Sequence, residues 1–342
     1  MADISCDIVV IGAGVLGLSV AAELTARGRD VRVVDPGLPN ASSVAAGMIA
    51  PAAETILDDL GGPVPALLRA SANLWPALAS RLGIRLDSAA AEWMTGDREG
   101  VEADLILMGF EPQWDGQSLR LPSDVRIWPD EALSALARSL DQPVIQRRVL
   151  GLAAELGGWR LDLGDASLRA DFVVLATGAD KPISGLPPSV AKILHQIVPI
   201  AGQIGLAQGR LTDRVLRGAS GYVLPGPGDT TVIGATMVRG EAALEPDAVA
   251  SEVLLRMAEC LLGRKVTAPV EWRVGVRGAS PDGLPMAGPT AEPLIHVALA
   301  PRRNGWLLGP LVGRVVADGI EGRPRDAHAA ALDPLRFSPQ SF

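Results

Sequence analysis

An unbroken apolar run at 8–11, too short for a helix and closed by a glycine, predicts a buried strand. It opens the stretch "CDIVVIGAGVLGLSVAAELTARGRDVRVVD". There a longer apolar segment reaches a stop at Gly28, and a second short one, 31–34, ends at an acid, Asp35. The pattern predicts strand, turn, helix and strand. Residues around 52–85 read as helical pieces interrupted by prolines, and "AEWMTGDREG" and "EPQWDGQS" as short strands and turns. A helix is predicted over 131–140 after the Pro129-Asp130 start. Strand patterns return at 144–149, 150–156 and 159–163, and "DFVVLATGA" (171–179) is apolar enough for a strand buried on both faces. A second set follows at 196–206, 221–224 and 231–235. A helix over about 246–262, a strand at 295–298 and a helix opening at Gly305 complete the reading. No internal repeat stands out, and no linker is long enough to separate contiguous domains. A chain of 342 residues is long for one domain, so two lobes are expected, interleaved in sequence.

Composition narrows the function classes. With 48% hydrophobic residues the chain must fold around a large core. A net charge of −8 leaves no basic stripe for a nucleic acid, so cations here are local devices. Two cysteines, Cys6 and Cys260, are too few for a disulfide framework and fit a reducing, cytoplasmic setting. The apolar stretch 8–24 follows acids rather than a basic leader and is punctuated by glycines, so neither signal peptide nor membrane span is expected. Three histidines, His195, His296 and His328, fall at no ligand spacing, which argues against a metal site.

The turn carries chemistry. In Gly12-x-Gly14-x-x-Gly17, Gly12 permits the tight turn, Gly14 lets backbone N–H groups approach a pyrophosphate at the helix start, and Gly17 permits close helix–strand packing. Asp35 falls where an acid can hold a ribose hydroxyl. Strand, helix and acid all lie at the offsets a dinucleotide site needs. No second such motif follows a strand downstream, which favours electrons arriving from a small organic substrate rather than a nicotinamide.

In order along the chain, "DIVVIGAGVLGLSVAAEL", "ASSVAAGMIAP" (41–51), "VVLATGA", "GYVLPGPGDTTVIGATM", "GVRGASPDGLPMAGP", "RRNGWLLGPLVGRVVADGI" and the closing "LDPLRF" resemble the D-amino-acid oxidase superfamily of FAD-dependent oxidoreductases. The nearest branch is the glycine oxidases associated with thiamine biosynthesis, and the weakest stretch is about 52–140. The resemblance implies an α/β chain. A glutathione-reductase-like FAD-binding domain with a Rossmann-type βαβ unit (1–75, 141–192 and 271–342) is interleaved with an antiparallel-sheet α+β substrate domain (76–140 and 193–270). It implies non-covalent FAD, a small amino-acid or amine substrate and O2 as acceptor, with a homo-oligomer left open.

By the same resemblance, Gly12, Gly14, Val15, Gly17, Asp35, Ser42, Ser43, Ala46, Gly47, Met48, Thr177, Gly178, Arg303, Asn304, Gly305, Trp306 and Leu307 fall at cofactor positions. Tyr222, Arg277 and Arg303 fall at catalytic positions, and Met48, Met237 and Arg302 line the substrate pocket. The chemistry is coherent with these places. A bidentate cation and a hydroxyl, Arg277 and Tyr222, suit a substrate carboxylate. The helix start at Gly305 directs its dipole at charge on reduced flavin.

The chain departs from the family where specificity is set. "GVRG" replaces "GLRP", Ala201 stands where a cation is frequent, and Arg302 replaces an aromatic. Arg302 either extends the positive field at the pocket mouth, admitting a second acid as in an N-carboxymethyl amine, or lies out in water. Asp282 reads as a turn residue, His195 as a cap or packing group, and Glu23 and Glu54 as solvated charges. Beside the oxidase reading stand a dehydrogenase passing electrons to a quinone or partner protein, a flavin-holding subunit without a reaction, and an NAD-dependent dehydrogenase.

Overall fold

The strand Asp3–Ile11 pairs in parallel with Val31–Asp35 on one side and Ser167–Leu175 on the other. With neighbours on both edges, its residues Ile8, Val9 and Val10 are fully buried, as the unbroken apolar run predicts. In this computed structural model residues 3–58, 60–180 and 183–337 are described; 1, 2, 59, 181, 182 and 338–342 of the expected domain ranges lie outside them. The sheet continues through Gly158–Asp162 and Gly151–Glu155 beyond one edge and Ile145–Gln146 beyond the other. Ile295–Leu299 pairs with the end of Ser167–Leu175 and with Met286–Pro289.

The helix Val15–Ala26 follows the glycine turn, and Gly28 sits at φ 80° just beyond it. Across it lies the long helix Gly305–Ile320. Glycines at 305, 309 and 313 face Val15 and Ser19: a Cβ at 309 would come 2.9 Å from Ser19 Oγ, and one at 313 2.8 Å from the Ser19 carbonyl oxygen. This four-residue step lets the helices meet almost backbone to backbone, with both N-termini at the same end. Arg27 ties the pair together, bonding Glu23 on its own helix, Asp318 at 2.8 Å and Glu321 at 2.9 Å.

The chain groups into two compact units. Met1–Asn40, Leu133–Pro199 and Arg277–Phe342 form one; Ala41–Ala132 and Ile200–Val276 form the other. These edges differ from the expected ranges: 41–75 and 271–276 group with the second unit, and 133–140 and 193–199 with the first. The first shift has a packing cause, because Ala50, Ala52 and Ala53 share a core with Trp93, Leu105, Phe110, Leu119 and Leu121. The prolines of that segment start helices rather than interrupt them. Pro51, Pro65 and Pro76 sit in the first turns of Pro51–Leu57, Val64–Ala72 and Trp75–Leu82, where a missing N–H costs nothing.

The second unit is built on a mostly antiparallel sheet in the order Val238–Arg239, Val198–Gln208, Thr230–Gly234, Gly221–Pro225, Leu216–Gly218, Ala91–Trp93, Leu119–Leu121, Gln113–Trp114. The helix Ala248–Leu262, capped by Asp247, buries Leu254, Met257 and Ala258 against Ala207, Val223 and Ile233 on one face. The opposite face carries Ile204, Tyr222, Leu224 and Val232.

In the first unit, His296 is 5% exposed beside Phe172 and Gly319. Burial pushes its imidazolium down to about 4, against a smaller opposing pull from the Gly319 backbone. The ring is neutral in the fold, while the unfolded chain takes up a proton near 6.5. Stability is therefore lost as pH falls from 6.5 toward 4, by up to about 3 kcal/mol. His296→Phe is expected to narrow the Tm difference between pH 7 and pH 5; an unchanged slope would place the acid sensitivity elsewhere.

Candidate active site

The expected residues fall into one group in each unit. In the first, Gly12 stands at φ 115°, and a Cβ there would lie 2.3 Å from the Ala176 carbonyl oxygen; a Cβ at Gly17 would lie 2.0 Å from that of Gly12. Both positions require glycine. Asp35 closes the loop as a backbone acceptor: Oδ2 takes the Ala13 N–H and Oδ1 the Gly37 N–H, each at 2.7 Å. Gly14 caps the helix Val15–Ala26 without a side-chain bond, and the first turn holds no acid. The helix Gly305–Ile320 likewise starts at Asn304 with no side-chain cap and no acid.

A Cβ at Gly305 would stand 3.1 Å from Val15 Cγ1, so the two helix starts are brought together. Two positive helix ends with no acid in their first turns favour an anion. That arrangement, with glycine turns that admit no methyl group, fits the pyrophosphate of FAD. Thr177 and Gly178 follow the strand Ser167–Leu175 and, with Ala179, Asp180, Leu194 and Ile197, line a small cleft.

The arginines converge by backbone pairing. Ala279, in the strand Val270–Ala279, bridges antiparallel to Pro301, and the Arg302 N–H donates to the Gly278 carbonyl at 2.9 Å. That register sets Arg277 and Arg303 at the same end of the pairing. Both are half-buried, as is Arg302. Ala300 at φ 58° and Arg302 at φ 53° adopt the left-handed region, so the bend into the helix is strained at two non-glycine residues. The Arg302 side chain runs along the 281–283 turn, its Cδ 3.5 Å from where a Gly283 Cβ would sit.

Asp282 is the turn residue the sequence predicts. Arg336 holds both of its oxygens at 2.9 Å, and Ser280 and the Leu284 N–H add to them. Burial alone would raise this carboxyl, but Arg336 and these donors hold it below its usual range. His195 ends the helix Pro188–Leu194, its Nδ1 2.7 Å from the Ala191 carbonyl, in a capping place.

In the second unit, Ser42 and Ser43 lie on the short helix Ala41–Val44, against which Gly275 packs. Gly47, at φ 75°, approaches the Ile127 carbonyl, where a Cβ would come within 2.2 Å. Ala46 and Met48 pack in one cluster with Tyr222, which is 9% exposed. Met237 is 38% exposed, at the edge of the same sheet. The cluster thus brings together Ala46, Met48 and Tyr222.

One reading is corrected. Glu54 is not a solvated charge: it is 5% exposed and accepts from Arg217, itself 3% exposed. Asp124, 2% exposed, receives the Ala52 and Ala53 N–H groups at 2.9 Å each. Sequence reasoning does not single out Arg217 or Asp124. A cation that directly follows two apolar residues, in "VLRG", is the available signal for Arg217.

No helix among the described residues is long and apolar enough to cross a membrane. The bifunctional protein ThiO/ThiG of Trichormus variabilis is 28% identical over 98% of this chain, which spans only 56% of that protein's length. A glycine oxidase of Geobacillus kaustophilus is 27% identical over 92% of this chain and 93% of its own. The crystal structure of glycine oxidase from Geobacillus kaustophilus matches with a TM-score of 0.84 at 25% identity, covering 97% of this chain and 99% of that one. The model of the family described as FAD dependent oxidoreductase matches residues 7–319, from the first strand through the helix whose start meets Val15, and the chain belongs to that family.

Proposed function

We propose that the protein is an oxidase of glycine or a related small primary or secondary amino acid, giving the imine, which water hydrolyses, with O2 reduced to H2O2. The observation that carries this reading is the pairing of Ala279 with Pro301, which sets two half-buried arginines at one end of a strand beside an acid-free helix start. Such a pair suits a carboxylate, because a guanidinium holds both oxygens through two parallel bonds. Arg277 binds the substrate carboxylate and Tyr222 donates to it. Arg303 stands at the amine or carboxylate side, and Met48 and Met237 line the pocket. FAD, when bound, supplies the acceptor for a hydride from the α-carbon. No side-chain base is needed if the amine binds neutral, so these residues act by positioning. Gly12, Gly14, Val15 and Gly17 would hold the pyrophosphate and Asp35 the ribose, and the helix start at 305–307 would stabilise negative charge on the reduced flavin.

A second reading, oxidation of N-carboxymethyl amines, is favoured by one observation: Arg302 is kept at φ 53°, a cost that proteins tend to retain where it serves a site. The test is anaerobic flavin reduction by glycine, sarcosine, D-alanine and iminodiacetate, followed by peroxide release in air. Bleaching by glycine with peroxide supports the first reading. Bleaching by iminodiacetate alone, lost in Arg302→Ala, supports the second. Bleaching without peroxide points to a dehydrogenase, and no bleaching by any amine removes both readings.

A further inference from the structure

The strand Leu216–Gly218 sets Arg217 directly across from Tyr222, and Tyr222 is in turn across from Gly234. Residues so opposed project to one face of the sheet, their Cβ positions roughly 4.5–5.5 Å apart. Tyr222 therefore has two flanks. On one, a Cβ at Gly234 would come 2.4 Å from the phenol Cζ and hydroxyl, so the ring lies over that glycine. On the other stands Arg217, whose Nη2 donates to the Glu54 carboxylate, while its Nη1 is buried and meets no acceptor.

The charges facing Arg217 come from two segments. Glu54 lies on the helix Pro51–Leu57. Asp124 sits under the start of that helix, with Ser123 Oγ 3.2 Å from Oδ1. Burial pushes Asp124 up to about 6, although Arg217 and the two amides favour its ionised form. A buried ion pair is a poor stabiliser, since desolvation of two charges offsets their attraction and apolar residues would fill the space as well. This one stands beside the single tyrosine of the chain.

We propose that the Arg217–Glu54 pair positions Tyr222, holding the phenol over Gly234 and setting the charge at its hydroxyl. The proposal rests on the reading of Tyr222 as a donor to the substrate carboxylate. The guanidinium favours a phenolate and Glu54 opposes that field, so the pair sets how readily the hydroxyl donates.

Because Tyr222 is the only tyrosine, labelling the holoenzyme with tyrosine carrying ¹³C at Cζ gives one resonance from one site. Glu54→Gln keeps the shape but removes one of the two carboxylates that face Arg217 and leaves Asp124 as the other, so the phenol is expected to titrate at lower pH. The double variant Glu54→Gln with Arg217→Met returns it toward the parent value. The KM for glycine rises about tenfold in Glu54→Gln with kcat changed less, and Arg217→Lys retains more affinity than Arg217→Met. Flavin absorbance and a thermal scan identify the folded variants, and Glu54→Gln alone decides if Arg217→Met does not fold. An unmoved phenol titration in folded Glu54→Gln overturns the proposal. A moved titration with unchanged KM upholds the coupling and instead removes Tyr222 from the substrate carboxylate.

Discussion

Gly12→Ala is expected to purify without flavin colour and to melt several degrees below the parent protein. The substituted residue would have to hold φ 115°, where a side chain is strained. Its methyl carbon would meet the Ala176 carbonyl oxygen at 2.3 Å and the carbonyl carbon at 2.8 Å. Neither contact can be relieved by a rotamer change, because both atoms are backbone. The Ala176 N–H bonds the Ile11 carbonyl and the Gly12 N–H bonds that of Val34, each at 2.9 Å, so any shift is carried into two parallel strands. Backbone strain of about 1–3 kcal/mol adds to overpacking of about 1–3 kcal/mol. The displaced turn is also the one that presents amides at the start of the helix Val15–Ala26, so bound cofactor no longer stabilises the fold by mass action.

Gly28→Ala is the control for that prediction. Gly28 also has positive φ, 80°, but a Cβ there meets nothing within 4 Å, so the change costs only about 1–2 kcal/mol of left-handed strain and leaves the flavin in place. The ratio of flavin to protein absorbance and the melting temperatures of the two variants decide. Stoichiometric flavin in Gly12→Ala would mean that the turn yields without losing its function.

The glycine turn is legible because each of its steps has a local cause. An apolar run closed by Gly12 needs no tertiary knowledge to be a strand and a turn, and an acid at 35 ends the next strand. The family resemblance supplies Arg277 and Arg303, but their proximity is not legible, since the Ala279–Pro301 bridge joins segments whose own patterns do not announce a pairing. The strand Val270–Ala279 is missing from the expected elements although "VEWRVGVRGA" alternates apolar residues with charges and glycines, the two-residue period of a half-buried strand. Glu54 misleads because its charge argues for water, whereas Arg217, distant in sequence, pairs with it in the interior. The prolines at 51, 65 and 76 punctuate the pattern, yet each lies where a helix can begin.

Replacing Arg277 by leucine is expected to lower kcat/KM for glycine by about 10²–10⁴-fold, the equivalent of roughly 3–5 kcal/mol for a desolvated charge pair that loses one partner. The side chain sits near the end of the strand Val270–Ala279, at the position its register sets level with Arg303. Arg277→Lys should recover little, since an ammonium is a point charge and cannot meet both carboxylate oxygens in one plane. Arg277 is not among the residues of the two helix starts, so flavin content is expected to stay at the parent level. That separates this variant from Gly12→Ala, in which activity falls because the cofactor is lost. A substrate without a carboxylate sharpens the test. The parent protein should prefer glycine strongly over methylamine, and Arg277→Leu should turn over the two at nearly the same low rate, because the group that distinguished them has gone. If the variant still prefers glycine by the parent's margin, the carboxylate is held elsewhere, and Arg303 becomes the residue to replace next.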